Sequence, residues 1–416
     1  MMDAGAGAGH RSAMVPALRL ILADPALRIA SAAMLLFGAL IASLAPYQSL
    51  IALQVFGLTP RAYAALLVAA AAVSVIGAVG AGLLTDRTAA RRAVAAGSAA
   101  LLVAGFGLVL LLPGPVSFAI AHILLLPVGG SVMGQLFALA RHAAAPLPGA
   151  ERDTVLAAIR ALFAVPFVAV LPIWALAFEA GAGLLTIYAL GLPLGGLLVA
   201  LIWAGWPLRG AAADREAPSG QSLPEALGEL AAPEVLLRVV LTGTILGGVF
   251  MYMIVLGPAF DAEPRRSLGD VALFAALIAG LEVPVMLSVG HLVRWLGRLR
   301  CIALGAAIYA GFLCAFPLAV GSPAVWCLVV PAAVGGGIVL SLPLSYVQDL
   351  MGARTGAGGA LLAVQKVAGD AAAAALFALA ALLGGPSLAA VLAGAAMLTA
   401  ALLLLRLDRR APRLAV

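Results

Sequence analysis

Twelve long apolar runs, separated by short polar breaks, constrain this 416-residue chain more than any other feature. They lie near 28–52, 63–85, 93–112, 117–140, 153–178 and 182–205, then 234–256, 269–289, 299–319, 324–348, 359–383 and 387–405. A helix needs about 20 mainly apolar residues to cross the hydrocarbon layer, and a lipid-facing backbone must satisfy its own hydrogen bonds. Each run is therefore predicted to be a transmembrane helix. Hydrophobic residues are 64% of the chain and charged residues 10%, far more apolar than one water-soluble core requires. The expected fold class is an all-α polytopic membrane protein whose partner on most of its surface is lipid.

Local chemistry supports several helix starts. Asp24-Pro25 supplies a cap and a first-turn proline, Pro233-Glu234 does the same for the seventh run, and Ser267 to Asp270 has capping-box spacing. Arg11 and Arg19 in an Ala/Gly-rich start loosely imitate a signal peptide, but no small-residue cleavage site stands out, so the first span is expected to act as its own uncleaved signal. The net charge of +6 comes almost wholly from scattered Arg without interleaved aromatics, which argues against nucleic acid. Its placement orients the chain instead. With both termini on the cytoplasmic side of a bacterial inner membrane, only Arg61, Arg265 and Arg266 fall outside, Arg160 and Lys366 lie within spans, and the rest gather at cytoplasmic ends and loops. Cys301, Cys314 and Cys327 are 13 residues apart, about 20 Å along a helix, too far to share a metal within one helix.

Hydropathy collapses between Pro207 and Pro233, where Asp214, Arg215, Glu216, Glu225 and Glu229 appear among Pro, Ser and Gly. The expected organisation is a cytoplasmic segment 1–27, a six-helix bundle 28–206, a linker 207–233, a second six-helix bundle 234–405 and a tail 406–416. A sequence echo supports two related halves. Gly82-Leu83-Leu84-Thr85-Asp86-Arg87 with Arg91-Arg92 follows the second run, and Gly290-His291-Leu292-Val293-Arg294 with Arg298 follows the eighth, 208 residues later. Parallel repeats with a solute site between them are one known membrane plan.

The Gly-x-Leu-x-Asp-Arg run with its paired arginines resembles the signature loop of the major facilitator superfamily of secondary transporters. Its physical use would be a tight small-residue helix exit and an ionic latch formed by Asp86, Arg87, Arg91 and Arg92, with Asp349 at the end of the tenth span facing Arg294 or Arg298 of the echoed loop. A loop that merely carries positive charge is the plainer account. A finer resemblance is to the sugar efflux transporter branch. It rests on Ala45-Pro46 with Ser49-Leu50, Gln135 to Arg141, Arg160, Leu281-Glu282-Val283-Pro284, and Tyr346 to Met351. The resemblance implies a major-facilitator fold, two six-helix bundles around a central cavity, with proton-driven export of saccharides or glycosides and no nucleotide, metal or other cofactor. Two departures touch the cargo: no glycine precedes Pro172, and Lys366 stands where the branch's pattern has Arg.

From the residues alone, ionisable groups within the spans are the strongest functional signal, because a charge at mid-bilayer costs several kcal/mol and needs a partner or a watery cavity. Glu282 lies midway along the eighth run, just before Pro284. It is either a carboxyl that loads and releases a proton or an ion-paired residue that ties helices together, and the two readings weigh equally. Asp370 is a second proton candidate, one turn beyond Lys366 and able to pair with it. Arg160 is expected to line the cavity, since its planar fork suits hydroxyl-rich or anionic partners, while Lys366 can instead snorkel to the surface. Tyr47, Gln48, Ser49, Gln135, Trp174, Tyr252, Ser345 and Tyr346 are further lining candidates, each equally suited to an interhelical hydrogen bond or to packing. The small-residue stretches at 69–72, 335–337 and 371–375 are expected to serve packing.

Other functions fit less well. No ring of charges or repeated filter suggests a channel, and Lys366, the one lysine, has no phosphate-cradling context. His10, His122, His142 and His291 are far apart in sequence, so an enzyme is not expected, and His122 is expected to be structural. An exporter of amphipathic drugs is the closest alternative, and a membrane sensor that keeps the fold without turnover is a third.

Overall fold

The computed structural model describes residues 18–88, 90–207, 233–350 and 355–410. Among them are twelve helices long and apolar enough to cross a membrane, and no strand. Spans 1 to 6 are Pro25–Leu44, Pro60–Gly82, Arg91–Leu111, Pro115–Ala144, Thr154–Glu179 and Thr186–Gly205. Spans 7 to 12 are Pro233–Asp261, Leu268–Leu296, Arg298–Ala319, Pro323–Val347, Val364–Leu383 and Pro386–Asp408. Every apolar run is thus a helix, and the protein is a multi-pass membrane protein.

The expected caps form. Leu27 N–H donates to Asp24 Oδ1 at 2.9 Å. Ser267 and Asp270 exchange the reciprocal bonds of a capping box, at 2.9 and 3.1 Å. Span 1 differs from expectation. It stops at Leu44, turns through residues 45–47, and resumes as Gln48–Leu50 and a π-helical turn, Ile51–Val55. Pro46 has no N–H and its ring clashes with the carbonyl four residues back, so the helix breaks there. The echoed glycines also differ from the expected helix exits. Gly82 lies inside a helix that runs to Thr88, and Gly290 inside one that runs to Leu296. The second helix stops at Gly297, whose φ of +80° is one a side chain would resist.

Span 7 packs against spans 11 and 12, span 9 against spans 10 and 12, and span 8 against span 10. Spans 7 and 11 meet main chain to main chain. A Cβ on Gly243 would lie 2.6 Å from the Gln365 carbonyl oxygen, and one on Gly369 would lie 2.8 Å from the Gly243 carbonyl oxygen. In lipid no hydrophobic force drives helices together, so contacts this close supply much of the cohesion. Gly243→Val is expected to cost about 1–3 kcal/mol through overpacking, read as a lowered unfolding temperature in detergent.

The chain forms two compact units. One holds the residues up to Leu44, Ile76–Val170 and the chain from Leu185. The other holds Ala45–Val75, Leu171–Leu184 and the C-terminal half. Spans 2 and 5 therefore each contribute to both units, and the changeovers after span 1 and within span 5 fall beside Pro46 and Pro172. Within the second unit, Tyr47 Oη donates to the Leu268 carbonyl at 2.9 Å, and the Gln54 amide donates to the Asp261 carboxylate. A Cβ on Gly257 would lie 2.8 Å from the Pro46 carbonyl oxygen. The chain after Pro46 is thereby seated on spans 7 and 8.

Candidate functional site

Glu282 is half-buried on span 8, and its Oε1 fills the space that a Cβ on Gly336 of span 10 would take. The Tyr309 ring edge reaches the same spot, with Cε2 3.2 Å from that Cβ position. Of the three consecutive glycines, Gly335 and Gly337 let span 10 approach Tyr309 and Val285 closely, as expected of packing residues. Gly336 instead makes room for a carboxyl group. Sequence reasoning treated all three alike, because which helix each one faces is not visible in a run of glycines.

Tyr309 borders this carboxyl, and Tyr252 joins it through Phe312. Tyr252 of span 7 and Tyr309 of span 9 both lie within electrostatic reach of Glu282. Phe312 separates their rings, with centroids 5.5 Å from Tyr252 and 5.2 Å from Tyr309. Both hydroxyls are buried and have no hydrogen-bond partner. Tyr252 therefore sits in an aromatic cluster beside Glu282, and Tyr309 was not singled out from the sequence.

The other candidates fall in separate places. Lys366 Nζ and Asp370 Oδ2 pair at 2.6 Å, as their spacing predicts, and the ammonium also lies 5.5 Å from the Phe250 ring centroid. Arg160 lies over the Phe137 ring at 5.6 Å. Gln135 is buried and accepts from Thr85 Oγ1 at 3.1 Å, which ties span 4 to the helix of span 2. Gln48 hydrogen-bonds the buried Tyr63 hydroxyl, Ser49 is buried with no partner for its own, and Ser345 Oγ donates to the Leu342 carbonyl. Trp174 is buried against Phe178, with centroids 5.3 Å apart. His122 is buried, stacked on Phe118 and bonded to Tyr188 Oη at 2.8 Å.

Among the loop residues, Arg91 Nη1 bonds His142 at 2.7 Å, and Arg92 lies 4.3 Å over the Trp203 ring. Arg294 is exposed and Arg298 opens span 9. The side chains of Asp86, Arg87 and Asp349 lie outside the described residues, and so does the latch they were expected to close.

One ionic network was missed in the sequence. Arg238 Nε donates to Asp408 Oδ1 at 2.9 Å, and Arg238 Nη1 to the Glu234 carbonyl at 3.0 Å. Tyr346 Oη donates to both oxygens of the same aspartate, at 3.0 and 3.1 Å. This joins spans 7, 10 and 12 and occupies the Tyr346 hydroxyl. An available signal was Arg238 itself, an arginine inside the seventh run, four residues after Glu234. Buried Gln365, whose amide donates to the Pro343 carbonyl at 3.2 Å, was also missed.

No group of three metal-binding side chains occurs among the described residues. No family model matches the sequence, and no curated protein matches it. Solved structures do. A mutant form of the nucleoside transporter NupG superposes with a TM-score of 0.71 at 13% identity, over 92% of this chain and 100% of that one. Another structure of NupG gives 0.69 at 14% identity, over 95% and 100%. An auto-inhibited peptide transporter of the POT family gives 0.73 at 14% identity, over 94% and 98%. At such identities the likeness is one of fold, and the fold of this chain is the twelve-helix major-facilitator fold of those transporters.

Proposed function

We propose that this chain is a proton-coupled secondary transporter that exports sugars or glycosides by alternating access. In this reading the halves 28–206 and 234–405 are the moving repeats, both termini are cytoplasmic, and Glu282 carries the proton. The observation that carries it is the Glu282 carboxyl inside a membrane-spanning bundle, against Gly336, with no ion pair among the described residues. A carboxyl kept there without a cationic partner is easiest to hold in its neutral form, and a group that must be neutral in one state and can ionise in another is suited to couple solute to proton. A glycoside joins a hydroxylated ring to an aglycone, as a nucleoside does, so the sequence resemblance and the solute named for NupG agree in chemical build.

A specific observation favours amphipathic drugs as the second reading. Val68, Ala71 and Ala72 of span 2 and Val367, Ala371 and Ala375 of span 11 line a cavity of about 340 Å³ with almost no polar surface. Apolar walls of this kind suit an apolar ligand body better than a bare sugar.

Inverted membrane vesicles with an imposed pH gradient discriminate the readings. Labelled glycosides, nucleosides among them, are expected to accumulate several-fold over vesicles without the gradient, while hydrophobic dyes do not. Accumulation of dyes alone would move the assignment to the second reading. No response of any solute to the gradient would remove proton coupling.

A further inference from the structure

The two buried tyrosine hydroxyls beside Glu282 are the least expected feature of the C-terminal half. A buried hydroxyl almost always finds a partner, and one left without a partner calls for an explanation. Here two occur together, on different helices, both within reach of one carboxyl. Tyr252 and Tyr309 are fixed by packing against Phe312, so neither ring has drifted from a partner elsewhere. The carboxyl in turn takes no hydrogen bond from a side chain among the described residues. Three groups that suit one another thus share one packed cluster, Tyr309 at the carboxyl and Tyr252 behind Phe312, and are unbonded among the described residues. That arrangement fits a neutral carboxylic acid, since a bare carboxylate would draw the nearest donors.

Glu282 Oε1 already occupies the position over Gly336 that a single methyl group would fill. A proton needs no volume. The groups on the helices packed against span 8 leave no competitor for it. On span 7, Arg238 is 14 residues from Tyr252 and Asp261 is 9 residues away, about 21 and 13 Å along the helix. On span 9, Cys301 is 8 residues from Tyr309, about 12 Å, and Cys314 Sγ faces Gly394 of span 12. On span 10, Tyr346 is engaged with Asp408, and on span 8 itself Asp270 and His291 are at least 9 residues from Glu282.

We propose that Tyr252 and Tyr309 are positioning partners of Glu282 that donate their hydroxyls to it when it is a carboxylate and release it when it takes up a proton. The arrangement seen is the released one. Deprotonation, with the proton passing to water on the side to which the site opens, draws the hydroxyls onto the carboxylate and shifts span 8 against spans 7 and 9. This deepens the transport reading and rests on Glu282 as its proton carrier.

The test needs no solute, because the probe is the proton itself. In purified full-length protein, the carboxylic C=O stretch is followed by infrared difference spectroscopy across a pH titration, and Glu282→Gln identifies the band by abolishing it. Tyr252→Phe and Tyr309→Phe keep the rings and their packing. Each is expected to move the midpoint of that band up by about one pH unit, a tenfold change in proton affinity, and the double variant further. Midpoints within a few tenths of a unit of the native one in both variants would overturn the tyrosine pair and leave Glu282 as carrier. No response of any solute to the gradient in the native protein, alongside shifted midpoints in the variants, would do the reverse, sinking the transport reading while the tyrosine pair stands.

Discussion

Glu282→Gln abolishes proton-driven accumulation of solute while leaving solute exchange across the membrane intact. Glutamine matches glutamate in size and fits the same space over Gly336, so the close packing of spans 8, 9 and 10 survives. What it loses is the ability to change charge. A coupling free energy of about 1–3 kcal/mol corresponds to a concentration ratio of about 5–150-fold, and that ratio falls to one when the proton site is neutral throughout the cycle. Counterflow, in which labelled solute exchanges for unlabelled, moves no net proton and is expected to continue. The decisive pair of measurements is gradient-driven accumulation and counterflow in the same vesicles, at matched protein level. Full accumulation in the variant would remove Glu282 from the mechanism, and loss of both would mark it as structural.

Arg238→Ala is expected to cost about 3 kcal/mol of stability, most of it from the stranded aspartate. The side chains of Arg238 and Asp408 are only 11% and 21% exposed, so water cannot fully replace the lost partner. Asp408→Asn should be milder, because an amide oxygen still accepts from both Arg238 and Tyr346. Combining Arg238→Ala with Asp408→Asn removes both charges and should recover a large part of the loss, with a coupling term well above the ~0.5 kcal/mol expected of independent sites. Thermal unfolding of the four proteins in detergent gives that term directly. Additive losses would mean that the pair contributes little beyond its separate contacts.

The fold was legible because lipid imposes one rule on the whole chain: a run that crosses it must be apolar and helical. Long apolar runs mark the helices, and caps such as Asp24 and Ser267 mark their starts. The misjudged places are those where a local signal has two uses. Gly82 and Gly290 look like helix exits, yet both helices run on because the residues after them still form helix well. Pro46 breaks span 1, whereas Pro284 is held within span 8. The difference lies in the surroundings: the chain after Pro46 is seated on spans 7 and 8 in a new direction.

The candidate site was half legible. Glu282 stands out as the carboxyl midway along its apolar run, and Lys366 with Asp370 is visible from spacing within one helix. Tyr309 was silent, since a tyrosine in a span is unremarkable until a carboxyl is known to face it from another helix. Tyr346 was read as a lining group, and its hydroxyl is taken by an aspartate 62 residues away. Contacts between helices distant in sequence are what a single sequence does not display.

The glycine seam between spans 7 and 11 has a mechanical consequence. Where side chains interlock, one helix can move along another only by lifting each knob out of its hole, in steps. Gly243, Gly247 and Gly369 bring main chain against main chain, with only the methyls of Ala368 and Ala372 and the edge of the Phe250 ring beside them. Few interlocking side chains therefore stand in the way of a small turn or shift of span 11 on span 7. Any such shift carries the Lys366 and Asp370 pair with it, because both sit on span 11.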